Sequence, residues 1–395
     1  MNRLCKIWLN YFLCFVLSLY LITFSNLAFA TSSTIQKSVN TTEIRGVWLT
    51  NVSSGVLFTP WGINRAIKQL AALNFNRVYP IVWNRDKTFY KSDVAKNTIG
   101  VDSEPLLKIT RGGRDTLKEI IKVSHARNIT VMPWFEYGLM TLPNSEFTKR
   151  HPDWLTSAWS SQNINKQDNF NVTHLWLNPL HPEVKKFIKS LIIEVATKYD
   201  VDGIQLDDHF AMPVSMGYDP YTIKIYKQEH LGESPPIDIY NPEWMSWRAN
   251  KLTLLVSEIH QALKVIKPNL KISLSPNSKA FAYKYYLQDW QTWIEKGFVN
   301  ELILQVYRND EKAFANELQQ PGIKFAQQKI PVGVAISTGT FQNPVDIKQI
   351  QEQVKIVRQE GFAGVSFFYW ESLWGYISPE SPKQRRQGFQ EIFSS

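Results

Sequence analysis

From residue 43 onward, short apolar runs alternate with longer stretches whose apolar positions return every three or four residues. The short runs predict buried strands and the longer ones amphipathic helices. Eight strands are expected at 44–50, 77–83, 130–135, 203–207, 271–275, 301–307, 332–336 and 364–369. The helices that follow them are expected near 64–73, 115–126, 182–197, 242–266, 287–296, 311–318, 346–360 and 383–393. The strands read as apolar through their length, as expected when both faces are covered. Eight βα units predict an α/β fold in which the parallel strands close into a (β/α)8, or TIM, barrel. No Gly-rich fingerprint follows the first strand, which argues against a dinucleotide-binding open sheet.

In such a barrel the loops after the strands build the site. The loops after strands two, three and four are the long ones, at 84–113, 136–181 and 208–241, and are expected to carry function.

Residues 1–30 have a different pattern. Arg3 and Lys6 precede an apolar run, and Ala28-Phe29-Ala30 fits a small-x-small cleavage site. A signal peptide at 1–30 and a Ser/Thr-rich linker at 31–42 are expected, leaving 43–395 as one barrel domain. The protein is then exported, to the periplasm or outside the cell, with no stable membrane insertion after cleavage. Both cysteines, Cys5 and Cys14, fall in the leader. The barrel therefore has no disulfide, thiol nucleophile or thiolate metal site.

The net charge of +9 becomes +7 without Arg3 and Lys6, since residues 1–30 hold no acid. That suits an anionic polymer. The basic residues are dispersed, so no nucleic-acid partner is expected. The one tight cluster, Lys383-Gln384-Arg385-Arg386, reads as a solvated helix face.

Polar residues gather at the expected strand ends. Asp207-Asp208 closes the fourth strand and is the sharpest signal. Alternation along a strand would let only one of the pair point into the barrel mouth, and Asp207 is expected to be the nucleophile or base with Asp208 supporting it. Hydrolysis of a glycosidic bond needs two carboxyl groups, one protonated and one ionised, on opposite sides of the bond. The partner is therefore sought elsewhere, and Glu136 after strand three or Glu371 after strand eight could supply it. Trp48, Trp83, Trp134, Trp370 and Trp374 lie at or just beyond strand ends and are candidate stacking surfaces for sugar rings. His209, Asn277, Gln305 and Tyr307 are candidate polar contacts to substrate. No His pair at metal-binding spacing, Gly-x-Ser-x-Gly elbow or phosphate loop occurs, so neither a metal nor a cofactor is expected. His151 and His181 precede prolines and suit turns or helix starts.

Several segments resemble the glycosyl-hydrolase-like 10 family. They are Glu43-Ile44-Arg45-Gly46-Val47-Trp48-Leu49, Asn76-Arg77-Val78-Tyr79-Pro80, Pro133-Trp134-Phe135-Glu136-Tyr137-Gly138 and Trp176-Leu177-Asn178-Pro179. Asp202-Gly203-Ile204-Gln205-Leu206-Asp207-Asp208-His209-Phe210 with Pro213, and then Trp247-Arg248, complete the set. The family pattern usually has tyrosine where this chain has His209, and often asparagine where it has Glu136. The resemblance implies an exported barrel that hydrolyses a cell-wall or extracellular polysaccharide. Peptidoglycan glycan strands stripped of their peptides are one candidate substrate. Two alternatives stay open: a carbohydrate-binding wall protein without catalysis, and a hydrolase or lyase acting on a non-carbohydrate bond.

Overall fold

Strand β1 (Ile44–Leu49) pairs in parallel with both the second and the last strand of the chain, and this closes the sheet on itself. The computed structural model describes residues 42–159, 175–375 and 377–394. The expected signal peptide and nearly all of the expected linker, as well as part of the loop after the third strand, lie outside those residues. The remaining barrel strands are β2 (Arg77–Asn84), β3 (Thr130–Val131 and Trp134–Phe135), β4 (Gly203–Asp207), β5 (Lys271–Ser275), β6 (Glu301–Gln305), β7 (Val332–Ser337) and β8 (Gly364–Phe368). Each pairs in parallel with its neighbour around the ring. The (β/α)8 barrel is thus closed by eight strands.

Helices lie close to the expected positions, and their starts are fixed by short polar caps. Asp115 accepts from Lys118 N, Asn241 from Trp244 N and Asp346 from Gln349 N. Proline opens the helices Pro182–Lys198 and Pro242–Ile266, where a missing N–H costs nothing. β3 is broken between its two pieces at Met132-Pro133, because proline has no N–H for the ladder.

The long loops are not structureless. The loop after β2 holds helices Asp93–Ile99 and Pro105–Arg111, and the loop after β4 holds Pro220–Glu229. Helices Lys279–Tyr286 and Pro321–Lys329 also stand where connections were expected.

The barrel interior differs from the apolar strands expected. Side chains from non-adjacent strands meet across it in polar layers. At the bottom, Arg77 Nη1 of β2 reaches both carboxylate oxygens of Glu301 on β6 at 2.7 Å. Above it, Tyr79 Oη lies 3.1 Å from Ser366 Oγ. Gly46 leaves room there: a Cβ would come within 2.5 Å of Ser366 Oγ and 2.6 Å of a Tyr79 ring carbon. Next, Trp48 Nε1 donates to Gln205 Oε1 at 2.8 Å, and Gln205 Nε2 donates to Ser273 Oγ at 3.3 Å. Gln205 and Asp207 are two residues apart on β4, so the layer above Gln205 carries the acid.

The basic cluster in the last helix is not wholly solvated. Arg385 is fully buried. Its guanidinium donates to the carbonyls of Thr338, Val345 and Ser372 and to Glu380, and so ties the loops after β7 and β8 to the helix Pro382–Ser394. Among the described residues, no helix is long and apolar enough to cross a membrane.

Candidate active site

Asp207 is the last residue of β4, and the chain turns immediately after it. Strand alternation therefore no longer governs Asp208, and both carboxylates of the pair converge at the mouth. Gln305 Nε2, at the end of β6, lies 3.2 Å from Asp207 Oδ1 and 3.3 Å from Asp208 Oδ1. His209 Nδ1 lies 3.0 Å from an oxygen of each aspartate. Asn277, just past β5, donates to Asp208 Oδ2 at 2.7 Å. Gln288 holds the turn from behind: its Nε2 reaches the carbonyls of Asp207, Asp208 and Phe210 at 3.1, 3.3 and 3.2 Å.

Burial and charge divide the cluster into different protonation states. Asp207 is almost fully buried, and that burial together with the Asp208 charge drives its carboxyl well above the usual range. Burial also opposes ionisation of Asp208. There the His209 charge and hydrogen bonds from His209, Asp207 and Gln305 outweigh it, and the carboxyl falls to about 2. Burial works against a charged His209 ring, yet the two carboxylates overcome it and raise its pKa well above the ordinary value. The arrangement is one proton shared toward Asp207, an ionised Asp208 and an imidazolium between them.

Glu136 follows β3 directly and is buried. Asn84 Nδ2 donates to its Oε2 at 2.6 Å, and Asn51 accepts from the same Asn84 amide at 2.9 Å. Burial lifts Glu136 to about 7, against the charges of Arg85 and His209, and the Asp208 charge adds to the rise. Tyr307 stands at the opposite rim. Burial and the charges of Asp207, Asp208 and Glu136 all push its hydroxyl upward. The Tyr137 ring lies 4.6 Å from that of His209, tilted by 37°, and sits under the Arg85 guanidinium.

The other expected site residues are placed differently. Trp48 and Trp134 are buried inside the barrel below the carboxyls, 6.1 Å apart and each edge-on to Phe368. Trp83 points out of the barrel: its Nε1 donates to Gly138 O, and its ring meets Phe187 of the helix Pro182–Lys198. Glu371 and Trp370 lie in the 3-10 turn Trp370–Trp374 and line a separate cavity beside the loop after β1. Burial also lifts Glu371 to about 7, against a hydrogen bond from Ser54. His181 caps the helix Pro182–Lys198 and His151 ends the helix Glu146–Arg150, in keeping with their expected roles.

Asn84, Tyr137, Trp176, Tyr286 and Gln288 also touch or support the cluster. Asn84 had a readable signal, since it ends β2. Gln288 had none, since it acts from behind another strand. Among the described residues, Asp207, Asp208 and His209 each offer one ligand atom within 4.8 Å of the others and could together hold a metal ion. In the cluster as it stands, His209 already supplies positive charge to both aspartates.

The model of the glycosyl hydrolase-like 10 family matches residues 43–356, and the chain belongs to that family. It is 27% identical over 223 residues to glycosyl hydrolase YngK of Bacillus subtilis (strain 168), covering 49% of this chain and 39% of the relative. It is 25% identical over 215 residues to glycosyl hydrolase DigH of Escherichia coli (strain K12), covering 49% of this chain and 46% of the relative. The match thus spans less than half the length of either relative. Among solved structures, the PgaB (BpsB) glycoside hydrolase domain of Bordetella bronchiseptica aligns with a TM-score of 0.62 at 12% identity, over 86% of this chain and 99% of that one. Alpha-L-fucosidase isoenzyme 2 of Paenibacillus thiaminolyticus aligns with a TM-score of 0.60 at 14% identity, over 89% of this chain and 48% of that one. At these identities the structural likeness is one of fold.

Proposed function

We propose that this family member hydrolyses O-glycosidic bonds of a cell-wall or extracellular polysaccharide at the mouth of its barrel. The observation that carries the reading is the pairing of Glu136 and Asp208. One is a buried carboxyl lifted to about 7, in part by the Asp208 charge, and the other is a carboxylate held near 2. Glycoside hydrolysis requires such a division into an acid and an ionised partner. Glu136 would protonate the leaving oxygen. Asp208, the more exposed of the aspartates, would act as nucleophile or as base toward water. Asp207 would position Asp208 by hydrogen bonding and keep the local negative charge at one. His209 and Gln305 would hold Asp208 ionised and oriented. Glu371, placed in another cavity, is a weaker candidate for the acid than Glu136.

Export and a cell-wall substrate fit the basic charge and the leader-like start of the chain. The test is incubation of the protein with denuded glycan strands, intact peptidoglycan and neutral polysaccharides, followed by analysis of the new reducing ends. Activity in the wild type that Asp208→Asn and Glu136→Gln both abolish is the expected result. Binding without cleavage of any of these polymers would favour the carbohydrate-binding alternative.

A further inference from the structure

Glu371 closes the buried side of a cavity of about 410 Å³. The walls are the loop after β1, the first turns of the helix Gly62–Ala72, the 3-10 turn Trp370–Trp374 and the start of the helix Pro382–Ser394. That volume lies within the range of about 300–1,000 Å³ typical of small-molecule sites. Trp61, Trp370 and Trp374 supply aromatic surface, and Trp61 is 63% exposed. Arg65 and Arg386 line the same cavity. Both are exposed, and among the described residues neither is paired with a carboxylate. Two buried polar atoms also lack hydrogen-bond partners, Glu371 Oε2 and Trp374 Nε1. Buried polar atoms are seldom left unsatisfied, so both point to a missing partner.

We propose that this cavity is a second, non-catalytic carbohydrate site that takes a sugar residue bearing a carboxylate. Arg65 and Arg386 provide the charge for the carboxylate, and guanidinium groups suit that planar anion. The tryptophans provide apolar surface for the ring face. Glu371 and Trp374 Nε1 provide hydrogen bonds to hydroxyl or amide groups. Glu371 is neutral over much of the range below about 7, so it does not repel an anion there. The choice of a sugar rests on the glycan-hydrolysing reading above; the cavity, its cations and its unsatisfied atoms do not.

The test compares neutral sugars with counterparts that carry a carboxylate: glucose with glucuronic acid, and N-acetylglucosamine with its 3-O-lactyl ether, N-acetylmuramic acid. Binding to the full chain is followed by tryptophan fluorescence and by ligand-observed NMR. The wild type and Asp208→Asn should bind the acidic members alike, and the neutral members at least about tenfold more weakly. The double variant Arg65→Ala/Arg386→Ala should lose at least about tenfold in affinity for the acidic members, a loss of about 1.4 kcal/mol. It should still hydrolyse short substrates, because both arginines are exposed and away from the mouth cluster. Equal binding of acidic and neutral members, or unchanged affinity in the double variant, would overturn the proposal. Acidic-sugar binding with no hydrolysis of any glycan would remove the catalytic reading and leave this site standing. Hydrolysis without acidic-sugar binding would do the reverse.

Discussion

His209 Nδ1 lies 3.0 Å from Asp208 Oδ1 and equally 3.0 Å from Asp207 Oδ2, so one ring serves both members of the adjacent pair, and only Asp208 also accepts from Asn277. Without the imidazolium, burial would dominate and the Asp208 carboxyl would rise. His209→Gln should therefore move the acid limb of the rate profile upward. The ratio of kcat/KM at pH 4 to that at pH 6 should fall about tenfold or more, since each pKa unit is a factor of ten in the ionised fraction. An unchanged ratio would show that His209 does not control Asp208.

Asp208→Asn should lower kcat by roughly a thousandfold or more, as expected for loss of a reacting group. The thermal midpoint should stay close to that of the wild type, because the amide still accepts from Asn277. Asp207→Ala should also abolish most activity while the protein stays folded, through the loss of the hydrogen bond that orients Asp208. Full turnover in either variant contradicts the assignment.

Glu136 must be protonated to act as an acid, and its carboxyl titrates at about 7. The wild-type rate should accordingly fall about tenfold per pH unit on the alkaline side. Glu136→Gln should remove that limb and most of the rate on natural glycosides. An activated aryl glycoside, whose leaving group needs little protonation, should retain far more. A profile whose alkaline limb survives in Glu136→Gln would move the acid elsewhere.

Glu371 titrates at about 7 in the folded protein and at 4.5 as an ordinary glutamate. Its contribution to stability is fully present below about 4.5 and is lost as the pH rises through about 7. Glu371→Gln removes this loss. Between pH 4.5 and about pH 8, the stability difference should shift toward the variant by about 3 kcal/mol. Chemical denaturation at the two pH values measures it, and an equal difference at both refutes it.

At the bottom of the barrel, Glu301→Ala leaves Arg77 buried without its partner. The expected cost is about 3–5 kcal/mol, with the rate profile unchanged in shape. Arg77→Met/Glu301→Leu should recover most of that loss, which denaturant unfolding of the three proteins can check.

The eight strands were legible because each is a short buried run, and β4 and β5 have the expected bounds. The helices inside the loops were harder to see. Lys279–Tyr286 is short and buries only Ala282 fully, so it leaves little periodic pattern. Pro220–Glu229 did carry a signal, with Asp219 as cap and Pro220 at its first position. At the site, Asp207, Asp208, His209, Asn277 and Gln305 were readable as polar residues at strand ends. The division of roles was not, because it depends on a turn that begins one residue after Asp207. The tryptophans misled for a similar reason. Position along a strand does not say whether an indole faces inward, as Trp48 does, or outward, as Trp83 does.

The polar layers inside the barrel also limit how this sequence can drift. Arg77 with Glu301, Tyr79 with Ser366, and Trp48 with Gln205 and Ser273 are hydrogen-bonded to one another in a buried space. A single apolar replacement strands the remaining partner, while a matched pair of replacements does not. Descendants of this chain can therefore vary freely on the outer helices, but beneath the carboxyls they must change two or three residues together.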